Sequence, residues 1–108
     1  SLDQSCPVLI VDDLPANRLA MTEVLRPIPG VAIVEAESGN IALQHLLDQR
    51  FSVILLDVQM PDMDGYEVAR LVSSTPPYSN TPIIMVTAHS ASPSEITQAY
   101  EAGAIDNH

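Results

Sequence analysis

Val8-Leu9-Ile10-Val11-Asp12-Asp13 is an unbroken apolar run that stops on two carboxylates. A strand with one face in water alternates polar and apolar residues. This one does not, so it reads as a strand buried on both faces, as in a parallel sheet covered by helices. The signature returns in Phe51–Leu56, ended by Asp57, and in Pro82-Ile83-Ile84-Met85-Val86, which closes on Thr87-Ala88-His89. Val31–Ala36 is a further strand candidate.

Helical patterns fill the intervals. Met21, Val24, Leu25 and Ile28 recur at i, i+3, i+4, i+7, which predicts an amphipathic helix from Pro15 to Arg26, opened by its proline and ended by Pro27-Ile28-Pro29-Gly30. Gly39 turns the chain into a second helix whose Leu43, Leu46 and Leu47 share a face. A third, of about ten residues from Tyr66, is expected to turn Val68, Ala69, Leu71 and Val72 inward. Ser73–Thr81, with Pro76-Pro77, reads as a loop. Ser92-Pro93-Ser94-Glu95 combines an N-cap, a first-turn proline and a carboxylate at the third position, and the helix it starts runs to Gly103, a candidate C-terminal cap. The order β-α-β-α-β-α-β-α predicts an α/β fold, a doubly wound parallel sheet with helices on both faces. Ligands in such sheets sit beyond the carboxyl ends of the strands.

One core is all that 108 residues hold, at about 100–150 residues for an ordinary domain. The chain is 46% hydrophobic but only 4% aromatic, so Val, Ile and Leu must fill that core. Four Arg and no Lys against fourteen Asp and Glu leave a net charge of −10, a field that repels phosphate backbones and anionic lipid. Direct nucleic-acid binding and membrane association are therefore disfavoured. Cys6 stands alone, and no Cys/His spacing resembles a zinc site, which points to a reducing, cytoplasmic setting. Uninterrupted apolar runs such as Val8–Val11 and Val53–Leu56 are far shorter than the roughly 20 residues that cross a bilayer, and no signal peptide is seen. The opening Ser1-Leu2 lacks an initiator Met and carries no weight.

Asp12 and Asp13 end the first strand, Asp57 the third, and Thr87 the fourth, so all four are expected at one rim. Any one strand-end Asp reads equally as a turn former or helix cap. Three together repel one another unless a cation sits among them, and hard oxygen ligands suit Mg²⁺ or Mn²⁺.

These residues carry a resemblance. Val8–Asp13, the segment Leu56-Asp57-Val58-Gln59-Met60-Pro61-Asp62-Met63-Asp64-Gly65, the Pro82–Ala88 strand and the ending Glu101-Ala102-Gly103-Ala104-Ile105-Asp106 resemble the receiver domain of bacterial two-component response regulators, over about residues 7–106. The resemblance implies the flavodoxin-like receiver fold and a module that accepts a phosphoryl group from the phosphohistidine of a sensor histidine kinase or phosphotransfer protein, then switches conformation to control an output domain. By position it makes Asp57 the acceptor, Asp13 a direct metal ligand and Asp12 a ligand through water. The Gln59 carbonyl oxygen becomes the third protein ligand, and Thr87 the switch hydroxyl. Such a domain acts on its own carboxylate and turns over no separate substrate. Gln59 and His89 would flank the phosphoryl group and influence its lifetime, or stand as plain loop side chains. His45 reads as a surface residue of the second helix. Pro61 and Gly65 would shape the loop behind the acceptor, with Gly65 supplying backbone freedom.

The chain departs from the family in three ways. It has no lysine, where the family places one after a fifth strand to pair with the phosphoryl group. Asn107 stands where an aromatic switch residue would, and a fifth strand and helix are missing. A tail absent from the sequence is the expected reason, because a small sheet without its fifth strand exposes an edge. A chain cut inside the domain and a degenerate receiver are the other two. A pseudo-receiver that signals by protein contact alone is the alternative function. A phosphatase of the haloacid dehalogenase type would need a second Asp at position 59, and a calcium loop aligned on Gly65 would place Met60 and Leu71 at ligand positions. A flavodoxin-like cofactor site would find its phosphate repelled by Asp12-Asp13.

Overall fold

The computed structural model describes residues 7–58, 60, 65–74, 81–86 and 92–106 of the chain, with the backbone alone at 104–106. Strands β1 (Val8–Val11), β2 (Ile33–Ala36), β3 (Val53–Asp57) and β4 (Ile83–Val86) alternate with helices α1 (Pro15–Leu25), α2 (Gly39–Asp48), α3 (Gly65–Ser73) and α4 (Pro93–Asp106). The four strands form one parallel sheet in the order β2-β1-β3-β4. This is the doubly wound parallel α/β architecture expected from the apolar runs. No described helix is long and apolar enough to cross a membrane.

Alternation along β1 and β3 sends successive side chains into two cores. Leu9, Val11, Ile54 and Leu56 pack with Ala42 and Leu46 of α2 and with Val68 and Val72 of α3. Val8, Ile10, Val53 and Leu55 pack on the other face with Met21 and Leu25 of α1 and with Ile96 of α4. Both strands are buried throughout, which is why neither shows a polar alternation. The N-terminus of α4 is the box read from its residues: Ser92 N donates to Glu95 Oε1 at 2.7 Å, and Glu95 N donates to Ser92 Oγ at 3.2 Å. The Ser92 N–H, and after it the Ser92 hydroxyl, favours the charged form and holds the Glu95 carboxyl below its ordinary pKa.

Several expectations are corrected. Leu47 is 73% exposed and Leu71 43%, because the inward stripes are the i, i+4 pairs Ala42/Leu46 and Val68/Val72, and Leu47, one residue after Leu46, and Leu71, one before Val72, are each rotated about 100° from them. β4 is half-buried over Ile83–Met85, since among the described strands it has a neighbour on one side only. Gly103 does not cap α4, which continues to Asp106. A Cβ at Gly103 would run into Cγ2 and Cβ of Val53, so this glycine lets α4 lie close on β3. The expected loop around Pro76-Pro77 lies outside the described residues.

Candidate acidic metal centre

The register brings two strand ends side by side. Val11 pairs with Leu56, so Asp12, one residue past β1, lies beside Asp57, the last residue of β3. β1 is also where the order of strands reverses, with β2 on one side and β3 on the other. That crevice is where open α/β sheets hold their ligands. Asp12 is fully buried, Asp57 is 6% exposed and Asp13 is partly exposed. Each offers a carboxylate oxygen, and the three atoms lie within 4.8 Å of one another.

Local structure fixes these positions. Asp12 N donates to Ala36 O at 3.1 Å, the last rung between β1 and β2. Its Oδ1 accepts from Leu14 N at 3.0 Å, a turn that carries the chain into α1. Asn17 Nδ2 donates to both Asp12 oxygens, at 3.3 and 3.2 Å. Behind Asp57, Val58 N donates to Val86 O at 3.2 Å, and Gly65 N donates to Val58 O at 3.2 Å. Gly65 is needed for close approach rather than for backbone freedom. Among the described residues only Gly30 has a positive φ, whereas a Cβ at Gly65 would overlap Asp57 O and reach Val58 Cα at 2.9 Å.

Burial raises the Asp12 carboxyl above its ordinary pKa, and the charges of Asp57 and Asp13 add to the rise; the Leu14 N–H and the Asn17 amide oppose it. The fold favours the protonated form more than the unfolded chain does, so this group's stabilisation is present below its unfolded pKa and is lost as pH rises through the raised value. At neutral pH the charge of Asp12 works against the fold. In metal-free buffer Asp12→Asn is therefore expected to raise the melting temperature at pH 7 by several degrees, at roughly 4–8 °C per kcal/mol for a domain of this size. The gain should shrink once acid protonates Asp12 in the parent protein. A lower melting temperature for the variant at pH 7 would contradict this electrostatic account.

Three hard, anionic oxygens so close together fit a divalent cation of the Mg²⁺ or Mn²⁺ class, which would relieve their repulsion. The structure thus joins Asp12, Asp13 and Asp57 as expected. Gln59, Thr87, His89 and Pro61 lie outside the described residues. Val86, the residue before Thr87, pairs with Asp57. Although it lies in α1, Arg18 reaches the rim, where its Nη1 donates to the Asp12 carbonyl oxygen at 2.8 Å. Asn17 and Arg18 escaped the reading of the residues. The signal was there: they precede buried Met21 and Thr22 by one turn, so they are polar residues on the inward stripe of α1.

Residues 8–107 match the family model of the response regulator receiver domain. A probable cyclic di-GMP phosphodiesterase of Vibrio cholerae is 37% identical over 101 residues, covering 94% of this chain and 22% of that protein. The chain spans between 9% and 28% of the length of the curated relatives it matches, histidine kinases and methylesterases among them. The crystal structure of the chemotaxis response regulator CheY4 of Vibrio cholerae superposes with a TM-score of 0.80 at 26% identity, over 91% of this chain and 98% of that one. The Mn²⁺-bound form of response regulator Rcp1 superposes with a TM-score of 0.70 at 26% identity, over 89% of this chain and 74% of that one.

Proposed function

This chain belongs to the response regulator receiver domain family, and we propose that it accepts a phosphoryl group from the phosphohistidine of a sensor kinase or phosphotransfer protein onto Asp57. The observation that carries the reading is the convergence of Asp12, Asp13 and Asp57, two of them buried, at the switch point of the sheet. Asp13 and Asp57 would hold a divalent cation directly, with the Gln59 carbonyl as the third protein ligand and Asp12 acting through water.

The cation, Mg²⁺ or Mn²⁺, offsets the repulsion between an anionic nucleophile and an anionic phosphoryl group. An oxygen of Asp57 attacks phosphorus in line with the histidine nitrogen; the P–O bond forms as the P–N bond breaks, leaving an acyl phosphate on Asp57 and, from a donor ring protonated on its other nitrogen, a neutral imidazole. Asp12, held by Leu14 N and Asn17, keeps a fixed negative charge near the cation. Thr87 follows Val86, the register partner of Asp57, and its hydroxyl is the candidate to turn toward the phosphoryl group and carry the switch. The chemistry occurs on the domain's own side chain, and the consequence passes to an output domain of the parent protein. The setting proposed is the bacterial cytoplasm.

Incubation with acetyl phosphate and Mg²⁺ is expected to add the mass of one phosphoryl group to the intact protein, and a chelator should abolish the gain. A chain that stays unmodified while its metal site is saturated would favour a pseudo-receiver acting by protein contact alone.

A further inference from the structure

Arg18 places a positive charge at the edge of the acidic site without spending it on the carboxylates. One turn into α1, its side chain reaches back toward the start of the helix, as helical side chains do. There Nη1 donates to Asp12 O at 2.8 Å and Nε donates to Glu35 Oε1 at 3.1 Å. Thr22, one turn further along α1, donates its hydroxyl to Glu35 Oε2 at 3.4 Å. The Arg18 side chain is only 15% exposed, against 43% for Glu35. The guanidinium fork thus joins α1, the end of β1 and the end of β2.

Among the described residues the Asp12 carbonyl has no backbone donor from a neighbouring strand. The rung at Asp12 N–Ala36 O ends β2, and by Ser38 the chain has turned away to cap α2, with Ser38 Oγ accepting from Ile41 N at 3.1 Å. A buried carbonyl requires a donor, and Arg18 supplies the missing rung. We propose that Arg18 is a positioning residue for the divalent-cation site. It holds the Asp12 peptide, and so sets the direction in which the Asp12 and Asp13 carboxylates leave the strand, while Glu35 holds Arg18.

The inference rests on the acidic cluster being a metal site. Charge alone would give Arg18 the reverse effect: a cation beside three carboxylates opposes a second cation, and removing it should tighten Mg²⁺ binding. Positioning and charge therefore predict opposite signs.

The test is a titration of the protein with Mg²⁺ alone, read by the amide resonances of Asp13 and Leu14. Arg18→Gln, Arg18→Lys and Glu35→Gln are compared with Arg26→Gln, which removes the same charge from an exposed pair with Glu23. Arg18→Gln is expected to weaken Mg²⁺ binding roughly tenfold or more, as loss of a supporting partner of a metal ligand does. Arg18→Lys should fall between, since one ammonium cannot serve both acceptors as the fork does. Glu35→Gln should weaken binding by a smaller factor, and Arg26→Gln should match the parent protein.

Mg²⁺ binding by Arg18→Gln as tight as by Arg26→Gln, or tighter, overturns the proposal. Should Arg18→Gln fail to fold, unchanged affinity in both Arg18→Lys and Glu35→Gln overturns it instead. The metal-free spectrum separates this role from the metal site itself. Arg18→Gln is expected to move the Asp13 and Leu14 resonances without any metal, so this movement in the variant, with no Mg²⁺ taken up by the parent protein, overturns the metal reading and with it the cation-site role, leaving Arg18 as a support of the Asp12 peptide alone.

Discussion

Asp57→Asn is expected to abolish phosphoryl uptake from acetyl phosphate while leaving the fold intact. The amide is nearly isosteric with the carboxylate, so β3 and the packing behind it are undisturbed, but it is a poor nucleophile and a weaker ligand for a hard cation. The substitution also removes one of three carboxylates that crowd within 4.8 Å of each other. Intact mass spectrometry, with circular dichroism as the check on folding, reads both halves of this expectation. A folded Asp57→Asn protein that still gains a phosphoryl group would mean that another side chain is the acceptor.

Gly65→Ala has the second large effect. By helix propensity alone an alanine should stabilise the start of α3 by about 1 kcal/mol relative to glycine. Packing says the reverse, because the new Cβ would overlap the Asp57 carbonyl oxygen and meet Val58 Cα at 2.9 Å, both of them backbone atoms with nowhere to rotate. Either α3 or the end of β3 must move. The expected cost is roughly 1–3 kcal/mol, seen as a lower urea midpoint, together with slower phosphoryl uptake because the displaced carbonyl is that of Asp57 itself. An unchanged or higher midpoint would show that α3 can retreat freely.

The contrast between these two positions marks what could be read before the fold was known. The runs Val8–Val11 and Val53–Leu56 announced a parallel sheet because burial on both faces leaves no polar residue in the strand, and the carboxylates that stop them mark the rim. Ser92 and Glu95 announced a helix start because their bonds are local. The close approaches that Gly65 and Gly103 permit were not legible, since they depend on how α3 folds back on the end of β3 and how α4 lies on Val53, fifty residues earlier in the chain. Leu47 and Leu71 look like core residues in any hydrophobic count, and only the angular width of the buried stripe turns them outward. Arg18 sits on the inward stripe of α1, but its partners were not legible because its two acceptors, Asp12 O and Glu35, come from separate strand ends. Gln59 and Thr87 lie outside the described residues, and their roles rest on position alone.

The central claim is that Asp57 carries the phosphoryl group, and locating the label tests it most directly. The protein phosphorylated with acetyl phosphate and Mg²⁺ is reduced with borohydride, which converts an aspartyl phosphate to homoserine, then digested and sequenced by mass spectrometry. The account predicts conversion at residue 57 and at no other aspartate. Conversion at Asp12 or Asp13, with Asp57 intact, would contradict it.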